Sequence, residues 1–329
     1  MRLNGKSVLV TGAGGFIGSH LSEKLLGLGC EVRSFVRYNS RNDWGLLELI
    51  SKDKLNEIEV ITGDLNDTDA VYNASKDVDV IFHLGSIISI PYSYLNPRET
   101  IETNIIGTLN VLNAARLYGV DKIIHTSTSE VYGSARYVPI NETHPLQAQS
   151  PYSASKIGCD KIAESYFKSF DLPVSTIRPF NTFGPRQSAR AVIPTIITQA
   201  LIGNKINLGS LHPTRDYTYV DDTTDGFIKI AESSKSVGEI FNIGSNFEIS
   251  IRDLAQKILY LLGKEEEISI DSDRIRPINS EVERLWCDNT KAKKIIGWKP
   301  KIKFEDGLKE TIDWVNESIH LYKPELYNR

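Results

Sequence analysis

This sequence predicts a doubly wound α/β fold, a parallel sheet with helices on both faces and a smaller lobe attached, and three features carry the prediction. Short β-branched runs alternate with longer helical patterns over the first two-thirds of the chain. The runs lack a polar alternation, so both faces of the sheet are expected to be covered. A glycine triplet directly follows the first run.

Taken in order, strands are expected at Ser7–Thr11, Glu31–Val36, Glu59–Thr62, Val80–Leu84, Lys122–Ser127 and Val174–Arg178. Helical periodicity places helices at Ile17–Leu28, Glu99–Tyr118 and Tyr152–Phe170, the second closed by Gly119 as its C-cap. Beyond this point the character changes. Four prolines fall in the stretch from Pro179 to Asp216, Pro179 itself included, and amphipathic helices are expected at Asp221–Glu232, Ile251–Leu262 and Phe304–Tyr322. The expected division gives residues 1–180 to the sheet domain and residues 181–329 to a smaller, partly discontinuous α/β substrate lobe. The sheet domain should also take back segments near 216–244, because Phe241–Ile243 is apolar enough to rejoin the sheet.

Composition narrows the function. At 329 residues the chain is long enough for about two domains with full cores. Lys and Arg number 38 against 42 Asp and Glu, with no long run of one sign, so no nucleic-acid partner is expected. Cys30, Cys159 and Cys287 are odd in number, far apart and without metal-ligand spacing, which fits a reducing compartment better than a disulfide framework. No apolar run approaches the ~18 residues of a membrane span. The short apolar stretch near the start reads as a strand and not as a signal segment, so a cytoplasmic location and no membrane partner are expected. The six histidines show no metal spacing, so no metal is expected, and His83 reads as a satisfied strand-end residue.

After the first strand, T-G-A-G-G-F-I-G sets Gly12, Gly15 and Gly18 at three-residue intervals around Phe16 and Ile17, at the mouth of a helix. Such glycines allow a tight turn, backbone approach to a pyrophosphate, and close packing of helix on strand. The helix N-terminus then faces the anion. This is the pattern of a Rossmann-type dinucleotide site. Asp64 opens a loop in T-G-D-L after the third strand. The second strand ends in Phe35-Val36-Arg37, with no acid for an NAD ribose. Arg37 can bind a 2′-phosphate, stack on an adenine or simply face solvent, which leaves NAD and NADP both open.

Tyr152-Ser-Ala-Ser-Lys156 opens a helix directly after Pro151, and its i,i+4 spacing puts phenol and ammonium on one face. A neighbouring Lys⁺ is expected to lower the Tyr pKa, so that the phenol serves as a base near neutral pH. The fifth strand runs into H-T-S-T-S-E-V-Y-G, bringing Thr128, Ser129 and Glu130 to a strand C-terminal end, where open α/β sheets bind ligands. Downstream motifs offer Asn181 and Arg186, then Arg190, Val192 and Ile193, then Arg215, and finally Arg276 and Glu283. Arginines suit bidentate diphosphate recognition and an acid suits ribose hydroxyls. Each alone reads more readily as a surface ion-pair member than as a ligand. Asn181, Arg190, Val192, Arg215, Arg276 and Glu283 form the expected substrate set.

From Gly12 to D-N-T-K-A-K-K-I-I-G-W-K-P, the glycine spacing, the YxxxK pair and the chain length resemble the extended branch of the short-chain dehydrogenase/reductase superfamily. More narrowly, V-R-Y-N-S-R-N-D-W-G, S-I-P-Y-S-Y, T-S-T-S-E-V-Y-G, Q-S-P-Y-S-A-S-K-I-G and P-R-Q-S-A-R-A-V-I-P-T-I-I-T-Q resemble the NAD-dependent nucleotide-sugar 4,6-dehydratases of the legionaminic-acid type. The resemblance implies that Gly12, Gly15, Phe16, Ile17, Gly18, Arg37, Asp64, Leu65 and Lys156 meet a tightly held NAD, with Asp64 and Leu65 at the adenine. It implies catalytic roles for Thr128, Ser129, Glu130, Tyr152 and Lys156: Thr128 bonds the reacting sugar hydroxyl, Tyr152 is the first base, and Glu130 removes the C5 proton.

The implied substrate is a UDP- or GDP-activated N-acetylglucosamine or related hexose, and the product its 4-keto-6-deoxy form. Ser129 stands where dTDP-glucose dehydratases have an Asp acid, as it does in GDP-mannose dehydratases, so Glu130 must also assist water loss. A homodimer is implied through Glu99–Tyr118 and Tyr152–Phe170, with Ile101, Ile105 and Leu109 as one apolar stripe. The alternatives are a 4-epimerase, a dehydratase that stops at a 5,6-ene or epimerises C5, and a non-catalytic dinucleotide-binding sensor.

Overall fold

A computed structural model describes residues 1–203, 205–324 and Leu326. In chain order the strands are β1 (Ser7–Thr11), β2 (Glu31–Arg37), β3 (Glu59–Gly63), β4 (Val80–His83), β5 (Lys122–Thr126), β6 (Val174–Pro179), β7 (Asn181–Phe183), β8 (Ile206–Leu208), β9 (Thr214–Tyr219), β10 (Ile240–Ile243), β11 (Glu248–Ser250) and β12 (Ile268–Ile270). The helices are α1 (Phe16–Gly27), α2 (Lys52–Leu55), α3 (Thr68–Ser75), α4 (Ile90–Leu95), α5 (Pro97–Tyr118), α6 (Pro151–Phe170), α7 (Val192–Leu201), α8 (Val220–Glu232), α9 (Ile251–Leu262), α10 (Thr290–Ile296) and α11 (Phe304–Glu317).

Seven strands form one parallel sheet in the order β10-β6-β5-β4-β1-β2-β3. The strand order reverses between β1 and β4, which opens a crevice beyond their C-terminal ends, the place where such sheets hold ligands. The period-2 geometry of β1 explains the two covered faces. Val8 and Val10 point to one core with Leu21, Leu25, Phe227 and Trp298, whereas Leu9 points to the other with Ile81, Val111, Ala163 and Val174. Each such fully buried Leu or Ile contributes about 1.5–3 kcal/mol. A third core unites α7, α9 and α11 with β8 and β9 in the smaller lobe, where β7, β9 and β11 form a short mixed sheet.

The doubly wound α/β class expected from the sequence is the observed one, and the six strand expectations agree with β1 to β6 to within a residue at either end. Phe241–Ile243 does rejoin the main sheet, beside β6. Three expectations need correction. The last helix stops at Glu317 and not at Tyr322: Ser318 leaves helical geometry and one 3-10 turn follows, which lets the Tyr322 hydroxyl donate to the Gln187 carbonyl at 2.7 Å. The proline-bearing stretch after Pro179 contains α7, with Pro194 in its first turn, where the missing N–H costs nothing. Residues 290–298, given above to the smaller lobe, place Ala292, Ile296 and Trp298 in the core beneath the main sheet. No helix among the described residues is long and apolar enough to cross a membrane, and Cys30, Cys159 and Cys287 are free and buried.

Beneath the sheet's C-terminal edge, α6 is tied to two strands through one carboxylate. Asp160 accepts from Ser127 at 2.9 Å and from Arg178 at 2.8 and 3.2 Å, and its other oxygen lies 3.0 Å from His125 Nε2. Burial alone raises the Asp160 carboxyl, but the His125 hydrogen bond and the Arg178 charge outweigh it and hold it at about 2. Because the folded value lies below the unfolded one, the stabilisation is complete above about pH 4 and disappears as the pH falls towards 2. The shift corresponds to about 2 kcal/mol. In Asp160→Asn the thermal midpoint should fall at neutral pH, and the difference from the native protein should shrink between pH 4 and 2. Midpoints that run parallel over that range would contradict this account.

Candidate active site

The glycine turn is built by close approach. Gly12 takes φ +71°, and a Cβ there would meet Gly85 at 2.8 Å. A Cβ on Gly18 would lie 2.2 Å from the Gly12 carbonyl oxygen, so helix and strand touch backbone to backbone. Gly15 begins α1 without a side-chain cap, and the first turn carries no acid, so its free N–H groups and positive dipole end suit an anion. Phe16 reaches into the core of the smaller lobe, while Ile17 packs on the sheet core. A dinucleotide diphosphate fits this cradle.

The remaining expected cofactor contacts sit around the same crevice. Asp64 follows β3 and accepts the Asn66 N–H at 2.9 Å; Leu65 beside it is buried, its carbonyl held by Asn110 at 2.9 Å. Arg37 ends β2, exposed at 73% of its side chain, with Nη2 3.6 Å from Glu99 of α5. Arg37 and Glu99 line a cleft of about 350 Å³ together with Ser86, Tyr92 and Arg190. Arg190 therefore faces the expected cofactor contact Arg37 and stands apart from the other arginines of the expected substrate set.

Tyr152 and Lys156 are 7% and 3% exposed. Pro151 opens α6, and a reciprocal capping box between Ser150 and Ser153 fixes the first turn that carries the phenol. Burial pushes the Tyr152 phenol above its usual range; Thr128 acts against the rise and the Glu130 carboxylate adds to it. Desolvation leads here, and the lowering by Lys156 expected from the sequence does not prevail in the protein without cofactor and substrate. The Lys156 charge instead depresses His83, after burial and His125, and opposes the rise of Cys159. His83 bridges Thr11 at 2.8 Å and Thr108 at 3.1 Å as a satisfied strand-end residue.

Thr128, Ser129 and Glu130 occupy the turn after β5. Thr128 caps a 3-10 turn over Ser129–Tyr132, accepting the Glu130 N–H at 3.2 Å. Ser129 is buried and Glu130 half-buried. The Glu130 charge reaches both Tyr152 and Tyr94. The Arg276 charge also bears on Tyr94, whose hydroxyl contacts Ser280 at 2.5 Å.

In the smaller lobe, Asn181 starts β7 and Val192 starts α7. Arg215, on β9, is buried and donates to Glu281 at 3.2 Å; Arg276 Nη1 lies 3.6 Å from the same oxygen. Glu283 does not join them: it is exposed and pairs with the exposed His212 at 2.8 Å. The acid at this cluster is Glu281, two residues earlier in S-E-V-E, and the sequence spacing to Arg276 leaves both open. Tyr94 was missed as well, although S-I-P-Y-S-Y contains it. Arg186 pairs with Glu23 of α1 at 2.7 Å and joins the two lobes.

With this geometry in view, comparisons with known proteins agree on one family. A UDP-glucose 4-epimerase of Mycolicibacterium smegmatis is 34% identical over 312 residues, 93% of this chain and 97% of the relative. The human dTDP-D-glucose 4,6-dehydratase is 31% identical over 331 residues, 97% and 92% of the two chains. The dTDP-glucose 4,6-dehydratase DesIV of Streptomyces venezuelae, solved with NAD bound, superposes with a TM-score of 0.84 at 30% identity and covers 97% of this chain and 99% of its own. The family model described as GDP-mannose 4,6 dehydratase matches residues 9–311, and the chain belongs to that family of NAD-dependent nucleotide-sugar dehydratases and epimerases.

Proposed function

We propose that this protein is a nucleotide-sugar 4,6-dehydratase of the legionaminic-acid type, converting a UDP- or GDP-activated N-acetylglucosamine or related hexose to its 4-keto-6-deoxy form. One observation carries the reading: Glu130 sits on the turn that Thr128 caps after β5, at the C-terminal edge of the sheet, and its charge bears on the Tyr152 phenol. A C4 epimerisation needs the phenol, the ammonium and a hydroxyl, whereas an elimination also needs a base for C5. Relatives named as epimerases and as dehydratases match about equally well, so the distinction rests on this acid.

NAD, when bound, supplies a hydride acceptor for C4 and a hydride donor for C6, with no net consumption. Tyr152 takes the C4 hydroxyl proton while Thr128 holds that hydroxyl in place. The C4 ketone acidifies the C5–H bond, Glu130 removes the proton, and the C6 hydroxyl departs as water. A serine hydroxyl is too weak an acid to protonate that leaving group, so Glu130 also assists there in place of Ser129. Arg215 and Arg276 are the arginines suited to the diphosphate, and Glu281 to ribose hydroxyls. Asn181 and Val192, at the starts of β7 and α7, are the further substrate contacts on this reading. Arg37 already faces the Glu99 carboxylate, which a 2′-phosphate would have to displace, and this favours NAD over NADP. Three free, buried cysteines and a nucleotide-sugar substrate fit a cytoplasmic location.

Incubation with a panel of UDP, GDP and dTDP sugars, followed by NMR of the products, tests the reading: a 4-keto-6-deoxy sugar supports it, and a C4 epimer alone overturns it. In Glu130→Gln, turnover should fall about 10²–10⁴-fold, with reduced cofactor accumulating at about 340 nm because C4 oxidation still runs. Tyr152→Phe should abolish that signal too. Native-rate product from Glu130→Gln would remove the base assignment.

Protein purified without additives should carry NAD, seen by mass spectrometry of the denatured supernatant. Finding no dinucleotide, and no rise of the melting point on adding one, would sink the cofactor assignment. The Ile101, Ile105 and Leu109 stripe of α5 is exposed or half-buried, and Ile106 beside it is also exposed. A homodimer through α5 and α6 should therefore appear in light scattering at micromolar concentration, where a monomer would contradict it.

A further inference from the structure

The turn that carries Glu130 is anchored to its surroundings. Its internal hydrogen bonds are Glu130 N–H to the Thr128 hydroxyl at 3.2 Å, Val131 N–H to the Thr128 carbonyl at 3.4 Å and Gly133 N–H to the Glu130 carbonyl at 3.2 Å. Its position comes from outside anchors. Gln147 donates from its backbone to the Val131 carbonyl at 2.8 Å and from its side chain to the Tyr132 carbonyl at 2.9 Å. The deepest anchor is the Tyr132 hydroxyl, which accepts from Arg178 Nη1 at 2.9 Å and donates to Asn242 of β10 at 2.7 Å.

The same guanidinium grips the catalytic helix. Arg178 Nε and Nη2 donate to Asp160, which stands four residues after Lys156 and eight after Tyr152 on one face of α6. One planar, fully buried group therefore spans from the helix of the phenol to the turn of the acid. A buried ionic system is not needed to stabilise a core, since apolar residues of similar volume serve as well or better. A guanidinium, with its fork of fixed donors, does what apolar residues cannot: it sets a distance and an angle between two elements.

We propose that Arg178 and Tyr132 are positioning residues that hold Glu130 in register with Tyr152, so that C5 deprotonation can follow C4 oxidation on a sugar that has not moved. The inference rests on Glu130 being the C5 base. Loss of the link should leave the Tyr152 step nearly intact and slow the Glu130 step.

Tyr132→Phe removes the hydroxyl and keeps the ring that packs on Phe180 and His144. Arg178→Lys keeps the charge but cannot reach Asp160 and Tyr132 together. Both are tested as purified holoenzyme with UDP- and GDP-N-acetylglucosamine, recording reduced cofactor at about 340 nm and keto-sugar by NMR. The readout is the ratio of reduced cofactor to product, which does not depend on the fraction of folded protein. Both variants should form product about 10- to 100-fold more slowly, with reduced cofactor accumulating. Native ratios, or equal loss of both signals, would overturn the positioning role. Glu130→Gln is run in parallel: if it accumulates reduced cofactor and the two variants do not, only the positioning inference fails. If Glu130→Gln itself does not, the base assignment falls and the inference falls with it.

Discussion

Asp160, a carboxylate with almost no access to water, is the point through which the catalytic end of the main sheet is held together. A lone carboxylate in that position would protonate rather than stay charged. It stays ionised because β5 brings His125 to it, the residue just past that strand brings the Ser127 hydroxyl, and β6 brings Arg178. Since α6 packs where Asp160 is satisfied, the rotation of this helix is set, and Tyr152 and Lys156, on the same face, point beyond the strand ends. A helix held only by apolar packing could turn or slide by a fraction of a residue at small cost. One held by directional bonds to two strands cannot.

The other half of the site depends on α1, which works in both directions. Its N-terminus faces the crevice, and its backbone lies so close to Gly12 that no side chain fits between. Its outer face receives the smaller lobe: His20 contacts the Pro185 carbonyl at 2.9 Å, Glu23 pairs with Arg186, and Phe16 enters the lobe's core. The helix suited to the dinucleotide diphosphate is therefore also the joint that orients the substrate lobe. Under the proposed function, cofactor and substrate share one rigid element, which suits a reaction in which the same sugar meets the same cofactor twice.

How much of this could be read from the chain depends on whether the relevant force is local. The six sheet strands were legible because burial on both faces demands unbroken apolar runs, and the glycine turn because close approach tolerates no side chain. Helix α7 was not, since its buried face extends all round and leaves no amphipathic period, and Pro194 in its first turn looks like a breaker. The placing of Tyr152 and Lys156 on one face of a helix was legible by spacing, but the balance between burial and charge at Tyr152 was not, because desolvation depends on what the rest of the chain covers. Glu283 and Glu281 sit two residues apart, and only the fold shows that the first faces solvent beside His212 while the second faces Arg215 and Arg276.

That last pair of arginines bears on how the site treats its substrate. Arg215 is 6% exposed, and a guanidinium removed from water to that degree requires a counter-charge. Glu281 provides one and accepts from the same arginine that would meet a diphosphate. A diphosphate brings more negative charge than one carboxylate and offers bidentate geometry to both arginines, so under the proposed function it replaces Glu281 as their partner. The displaced carboxylate is then an acceptor without a donor, and the hydroxyls of the adjoining ribose are donors of the right kind. On that reading Glu281 keeps the arginines paired before a nucleotide arrives, and the exchange of partners adds selectivity: a sugar phosphate without the nucleoside would take the arginines but leave Glu281 half-buried and unmatched, at the cost of a desolvated charge.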